Sequence, residues 1–193
     1  AVDPPSGFAA ADALELSGMD GNGDGTRRDR PEVAIARFAA ARLRQDTRIA
    51  SFSLSGWDTH RNQDRMMPRA LAKLSDTILT LKSELGPAWA RTAVLAITEF
   101  GRTVRLNGTA GTDHGTGGTM ILAGGAVRGG AVYTDWPGLS EAALYERRDV
   151  MPTADTRAYA GTVMQGLFGT DRAALERVVF PGLDLSAGRT VIR

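Results

Sequence analysis

The sequence predicts an α/β fold of three layers, a largely parallel sheet covered by helices, and two observations carry that prediction. Apolar runs at Ile49–Leu54, Thr92–Thr98 and Met120–Val127 have the length and composition of strands. Between the first two lies Met67–Leu85, whose apolar residues at 67, 70, 71, 74, 78, 81 and 85 share one face at helical spacing. A helix joining consecutive strands is a βαβ crossover, which places the strands parallel. In such sheets ligands lie beyond the carboxyl ends of the strands. The chain puts Asp58, His60 and Glu99 at those ends.

Taken in order, residues 1–32 hold Gly, Pro and Asp, with seven acidic side chains against three arginines, and read as a linker or irregular segment. Within them Asp20-Gly21-Asn22-Gly23-Asp24-Gly25 copies the first half of a calcium loop. The twelfth position is Pro31, and the carboxylate of Glu32 comes one residue late, so a run of turn formers explains the pattern as well. The folded domain is expected over 33–193. From Pro31 a helix is expected, with Val33, Ile35, Phe38, Ala41 and Leu43 on its apolar face. The strand 49–54 delivers Asp58 and His60, the helix 67–85 stops at Gly86-Pro87, and the strand 92–98 delivers Glu99. Beyond Tyr133, a helix capped by Asp155 and stopped by Gly169 is expected, then another over Arg172–Val179. The tail from Pro181 shows no legible chemistry.

With 193 residues, 42% of them apolar and 23% charged, the chain suits one globular domain or part of a larger one. A formal charge of +1 and no basic patch with interleaved aromatics argue against nucleic acid. Cysteine is absent, so a metal must be held by oxygen and imidazole. No apolar stretch approaches the roughly 20 residues of a transmembrane helix. Residues 1–20 lack the regions of a signal peptide, and a start at Ala1-Val2-Asp3-Pro4-Pro5 suggests a processed or excised piece.

Chemistry concentrates around the two histidines of the chain, each beside an aspartate. In Asp58-Thr59-His60, residues i and i+2 of an extended segment point to one side, so carboxylate and imidazole can address one ion. Asp113-His114 lies in the glycine-rich run Gly111–Gly118, and Glu99 ends an apolar strand. Asp58, His60, Glu99, Asp113 and His114 are therefore the candidate metal ligands. Hard oxygen with imidazole suits zinc or manganese first, with magnesium or calcium as further candidates. A plain Asp–His hydrogen bond is the structural alternative. Arg102 is the candidate catalytic helper, able to hold a phosphate or sulfate in two-point contact. Its alternative is to pair with Glu99 or a carbonyl and fix the loop. Trp57 and Phe100 are expected to pack under the site, and Asn62 and Asn107 to support its ligands.

These motifs carry a resemblance. Gly56-Trp57-Asp58-Thr59-His60 with Asn62-Gln63, Thr98-Glu99-Phe100-Gly101-Arg102-Thr103, Asn107-Gly108, Gly111-Thr112-Asp113-His114-Gly115 and Gly124–Gly130 come in one order. Together they resemble the C-terminal half of the bacterial DUF1501 family, placed in the alkaline phosphatase-like superfamily. The resemblance covers residues 33–183. It implies an alkaline phosphatase-like three-layer fold of which this chain is the C-terminal part. It also implies Asp58, His60 and His114 around a first metal, Asp113 as a further ligand, and Glu99 at a second. Phe100 stands where the superfamily has a histidine. The nucleophilic Ser or Thr of the superfamily, at the tip of an earlier strand, has no counterpart before Asp58.

Two functional expectations follow. One is a metal-dependent hydrolase-like domain acting on small phosphate or sulfate esters. The other is a non-catalytic, metal-stabilised binding or structural protein. The resemblance implies a periplasmic or exported location, and an exposed sheet edge implies self-association or pairing with a missing N-terminal half.

Overall fold

The computed structural model describes residues 29–187 and 189–193. The Asp20–Gly25 pattern and the segment preceding residue 29 lie outside the described residues. Pro31 opens α1 (Pro31–Leu43), where its missing N–H is no loss, and Glu32 and Arg42 complement the two ends of the helix dipole. The buried face is Ala36, Ala39 and Ala40, and it packs on Leu81 and Leu85 of α2 (Gln63–Leu85). Small side chains let the two helices approach closely. The larger residues expected on that face flank it instead, and Phe38 is exposed with the Arg42 guanidinium 5.2 Å above its ring. Burying Leu81 and Leu85 contributes about 1.5–3 kcal/mol each.

Helix α2 begins one turn before its apolar stripe. Its buried face is Ala70, Leu74, Thr77, Leu81 and Leu85, and the Thr77 hydroxyl donates to the Lys73 carbonyl at 2.8 Å. Gly86, at φ 52°, and Pro87 end it as expected. A 3-10 turn, Gly86–Arg91, leads into β1 (Val94–Ala96). Two short strands, β2 (Gly101–Arg102) and β3 (His114–Gly115), pair antiparallel, and β4 (Ile121–Ala123) pairs antiparallel with β1 in the register Leu95 to Leu122. Helix and strand are thus mixed, as an α/β reading requires. Among the described residues, both ladders are antiparallel.

The difference from the expected parallel sheet has a local cause. Ile49–Leu54 forms no ladder, and none of its main-chain groups is hydrogen-bonded among the described residues. Without that strand, the crossover through α2 has nothing to make parallel, and β1 pairs with β4, beyond the β2–β3 hairpin. A cleft of about 1480 Å³ separates the run 49–57 from β1, with Leu74 and Leu81 of α2 on its wall. Val163 and Leu167 of α3 (Thr156–Phe168) also line it.

Helix α3 starts where Asp155 accepts the Arg157 N–H at 2.8 Å, and ends at Gly169 in the left-handed region, both as the sequence predicts. Next comes α4 (Arg172–Ala174), capped by Asp171 and widening into a π turn over Leu175–Val179, and a 3-10 turn follows at Leu185–Ala187. The tail enters the core: Val191 and Ile192 pack with Val127 and Val163, and the Val191 carbonyl accepts from Arg128 N–H at 2.8 Å.

Candidate metal centre

Two loops make the site, one joining the run 49–54 to α2 and one joining β2 to β3. The first carries Asp58 and His60, and the second carries Asp113 and delivers His114 as the first residue of β3. Asp58 Oδ1 lies 3.0 Å from His60 Nε2 and 2.7 Å from His114 Nε2. One ligand atom from each residue falls within 4.8 Å of the others. All three side chains are open to solvent on one side, near half exposed.

Asp113 stands behind this trio. Its Oδ1 is 3.2 Å from His60 Nδ1, so it orients the ring while Nε2 faces Asp58. That is the carboxylate–histidine arrangement that fixes tautomer and basicity in metal sites. Asp113 is itself held by Asn107 Nδ2 at 2.9 Å, and its N–H donates to Thr103 Oγ1 at 3.1 Å. The hydrogen bond with His114 holds the Asp58 carboxyl below the usual carboxylate range, aided by the charges of His60 and Arg102. Asn107, then His60, hold Asp113 low in the same way.

Arg102 bonds to backbone carbonyls of both loops. Its guanidinium donates to the Thr112 carbonyl at 2.8 Å and to the Trp57 carbonyl, and its Nη2 lies 3.3 Å from Asp58 Oδ1. One fork therefore ties the two loops together. It also stacks on Phe100, 4.8 Å from the ring centroid, and Phe100 stacks on His114 at 4.0 Å and 9°. Phe100 thus supports the site, as its composition suggests. Glu99 is exposed, borders the cleft, and is not among the three converging ligands.

Thr59, Gln63 and Thr112 support the site without a signal of their own in the sequence, whereas Asn107 is expected there. Gln63 Oε1 accepts from the hydroxyls of buried Thr59 and Thr112, at 2.9 and 2.7 Å, and so pins one loop to the other. Asn107 donates to the His60 carbonyl and accepts from the N–H groups of Thr109 and Gly111. Its neighbour Gly108 and the hydroxyl two residues on are the readable mark of a side-chain-closed turn. Asn62 serves instead as the αL residue before α2. The glycines serve chain packing more than ligand access: a Cβ on Gly111 would sit 2.1 Å from the His60 carbonyl carbon.

One carboxylate oxygen and two imidazole nitrogens form a donor set that could hold a metal ion. Tetrahedral zinc with bonds near 2.0–2.1 Å keeps its ligand atoms about 3.3 Å apart, against 3.0 and 2.7 Å from Asp58 Oδ1 to the two imidazole nitrogens and 4.8 Å as the limit for the whole trio. Residues 9–179 match the family described as "Protein of unknown function (DUF1501)". The chain belongs to the DUF1501 family. No curated protein and no solved structure gives a match. In this DUF1501 chain the matched span includes both site loops and all of the residues that hold them.

Proposed function

We propose that this DUF1501 chain carries the metal-holding part of a hydrolase-like site acting on phosphate or sulfate esters. The observation that supports it most is the convergence of Asp58 Oδ1, His60 Nε2 and His114 Nε2 from two loops whose geometry is set by further hydrogen bonds. Asp58, His60 and His114 would hold the ion, zinc or manganese before magnesium or calcium. When bound there, such an ion would supply Lewis-acid polarisation of an ester oxygen and would offset the charge developing on it. Asp113 keeps the His60 ring turned toward Asp58, and Arg102 keeps the loops together while adding positive charge beside Asp58. The order of motifs along the chain supports the finer fold: an alkaline phosphatase-like α/β/α unit with a largely parallel sheet, of which 33–193 would be the C-terminal part. The same resemblance supports an exported location.

A second reading, a metal-stabilised protein without catalysis, is favoured by how the nearby hydroxyls are engaged. Thr59 and Thr112 donate to Gln63, and Thr109 donates to the His60 carbonyl at 2.6 Å. The nucleophile is therefore not drawn from these threonines. Elemental analysis of protein purified without chelator or affinity metal tests the site. Stoichiometric zinc or manganese is expected, and its loss when Asp58, His60 and His114 are all changed to Ala. Metal in neither protein overturns the ligand assignment. Turnover of an aryl phosphate or aryl sulfate by the metal-loaded chain then decides between the readings, with its absence favouring the second.

A further inference from the structure

The first turns of α2 carry a row of cations that the metal site leaves unexplained. Arg65, Arg69 and Lys73 are four residues apart on one helix, so they stack on one face at about 6 Å intervals. That face lies beside the buried stripe of Ala70, Leu74 and Thr77 and is turned toward solvent at Arg65 and Arg69. Arg61, also exposed, adds a fourth cation two residues before the helix begins, one residue after His60. Among the described residues, none of the four has a carboxylate within ion-pair distance. Asp76, one turn beyond Lys73, is engaged by Arg30 at 2.7 Å. Like charges one turn apart repel, so the row is unfavourable to the helix by itself.

The row runs alongside the loop that carries the site. At one end Lys73 Nζ reaches the Ser55 carbonyl at 3.5 Å, three residues before Asp58. At the other, Arg61 follows His60 and bridges to Ala110. Both ends of the row thus lie against the loop that holds Asp58 and His60. A ligand laid along the row must carry regularly repeated anions, since the cations repeat with every helical turn. No aromatic side chain occurs from residue 61 to 85, so the face offers nothing for bases to stack on. A polymer bearing ester anions fits better than an acidic peptide, whose carboxylates give an ester-cleaving site nothing to act on.

We propose that this face of α2 binds a linear sulfated polysaccharide and leads one of its sulfate esters to the cluster, a proposal that rests on the ester-hydrolase reading. Affinity of the full chain for heparin, measured by titration calorimetry at fixed ionic strength with a metal chelator present, tests the row without requiring metal or turnover. R65Q/R69Q is expected to weaken binding at least tenfold and to flatten its dependence on salt. K82Q/R91Q, which removes the same charge elsewhere, is expected to stay within twofold of the parent. The thermal midpoint of R65Q/R69Q should not fall, because repulsion is relieved. Binding by R65Q/R69Q within twofold of the parent overturns the proposal. Equally tight binding of polyglutamate or single-stranded DNA of the same length, lost in the same variant, overturns the polysaccharide assignment. Because the chelator is present, absence of metal or of ester hydrolysis defeats the underlying reading and leaves this binding result intact.

Discussion

The site loops and the cleft wall are built from neighbouring stretches of chain, yet they are held in opposite ways. Around Asp58 and His114 nearly every polar group has a partner: Arg102 on two carbonyls, Asn107 on His60 and Asp113, and Gln63 on two threonines. Across the cleft, Ile49–Leu54 presents unpaired main-chain groups, and Ile97, just past β1, is half exposed. Polar loops fix themselves through directional bonds at short range. An apolar strand gains its order from a neighbour, and this one has none among the described residues. The contrast predicts that the loops are intolerant of small changes and the cleft wall is indifferent to large ones.

The largest effect is expected at Gly111. A methyl there meets the His60 carbonyl carbon at 2.1 Å, and that backbone is itself tied to Asn107 and Thr109. Neither side can yield, so Gly111→Ala should lose about 3 kcal/mol. For a chain of this size that is a fall of roughly 6–12 °C in thermal midpoint. An unchanged midpoint means the two loops are less tightly joined than the hydrogen bonds imply.

Next comes Arg102. Its side chain is largely buried, and its loss leaves the Thr112 carbonyl without its donor and the Trp57 carbonyl with the Thr59 N–H alone. Arg102→Met should lower stability by about 1.5–3 kcal/mol. Arg102→Lys should recover little, because a point charge cannot reach both loops and stack on Phe100 as the planar fork does. Full recovery by lysine in chemical denaturation shows that charge beside Asp58, not the clamp, is what matters.

Legibility in the sequence follows the same division. Signals that act within a turn or two could be read: Gly86-Pro87 as a stop, Asp155 and Gly169 as caps, and the long periodic stripe of α2. The clustering of Asp58, His60 and His114 was suggested because their residue types are rare together in this chain. What could not be read depends on pairing at a distance. The run 49–54 looks like a strand by composition, and composition cannot say whether a partner is present. Nor can it show that alanines, not Phe38, line the α1–α2 contact, since that follows from how near the helices come. Asp113 lay beside a histidine, and only the fold reveals that it orients the other one.

Acid separates the regions more gently. Burial works against the charge of Asp149, but hydrogen bonds from Arg148 and Thr116 outweigh it and hold its pKa below the ordinary 3.8. A carboxyl lowered on folding contributes stability that is present above the unfolded value and is lost as pH falls through the folded one. Asp149 sits under β3 and accepts from Thr116, so this stability belongs to the site loops. Asp149→Asn should therefore flatten the acid limb of the stability profile below about pH 4, measured by denaturant unfolding from pH 7 to pH 2. An acid limb as steep as in the parent assigns it to other carboxylates.

The smallest effect is expected on the cleft wall, and it sharpens the comparison most. Ile97 is 52% exposed, and the wall it belongs to faces open space. Ile97→Lys buries no charge in this fold and should change stability by no more than about 0.5 kcal/mol. A similar change at a strand paired on both edges would cost several times that, because the ammonium group would lose its water. Denaturation at low and high protein concentration therefore reports what the wall does in solution. A near-neutral result at both concentrations means the strand edge stands free. A loss that appears only at high concentration means a second chain covers it, and then the unpaired groups of 49–54 find their partners between molecules.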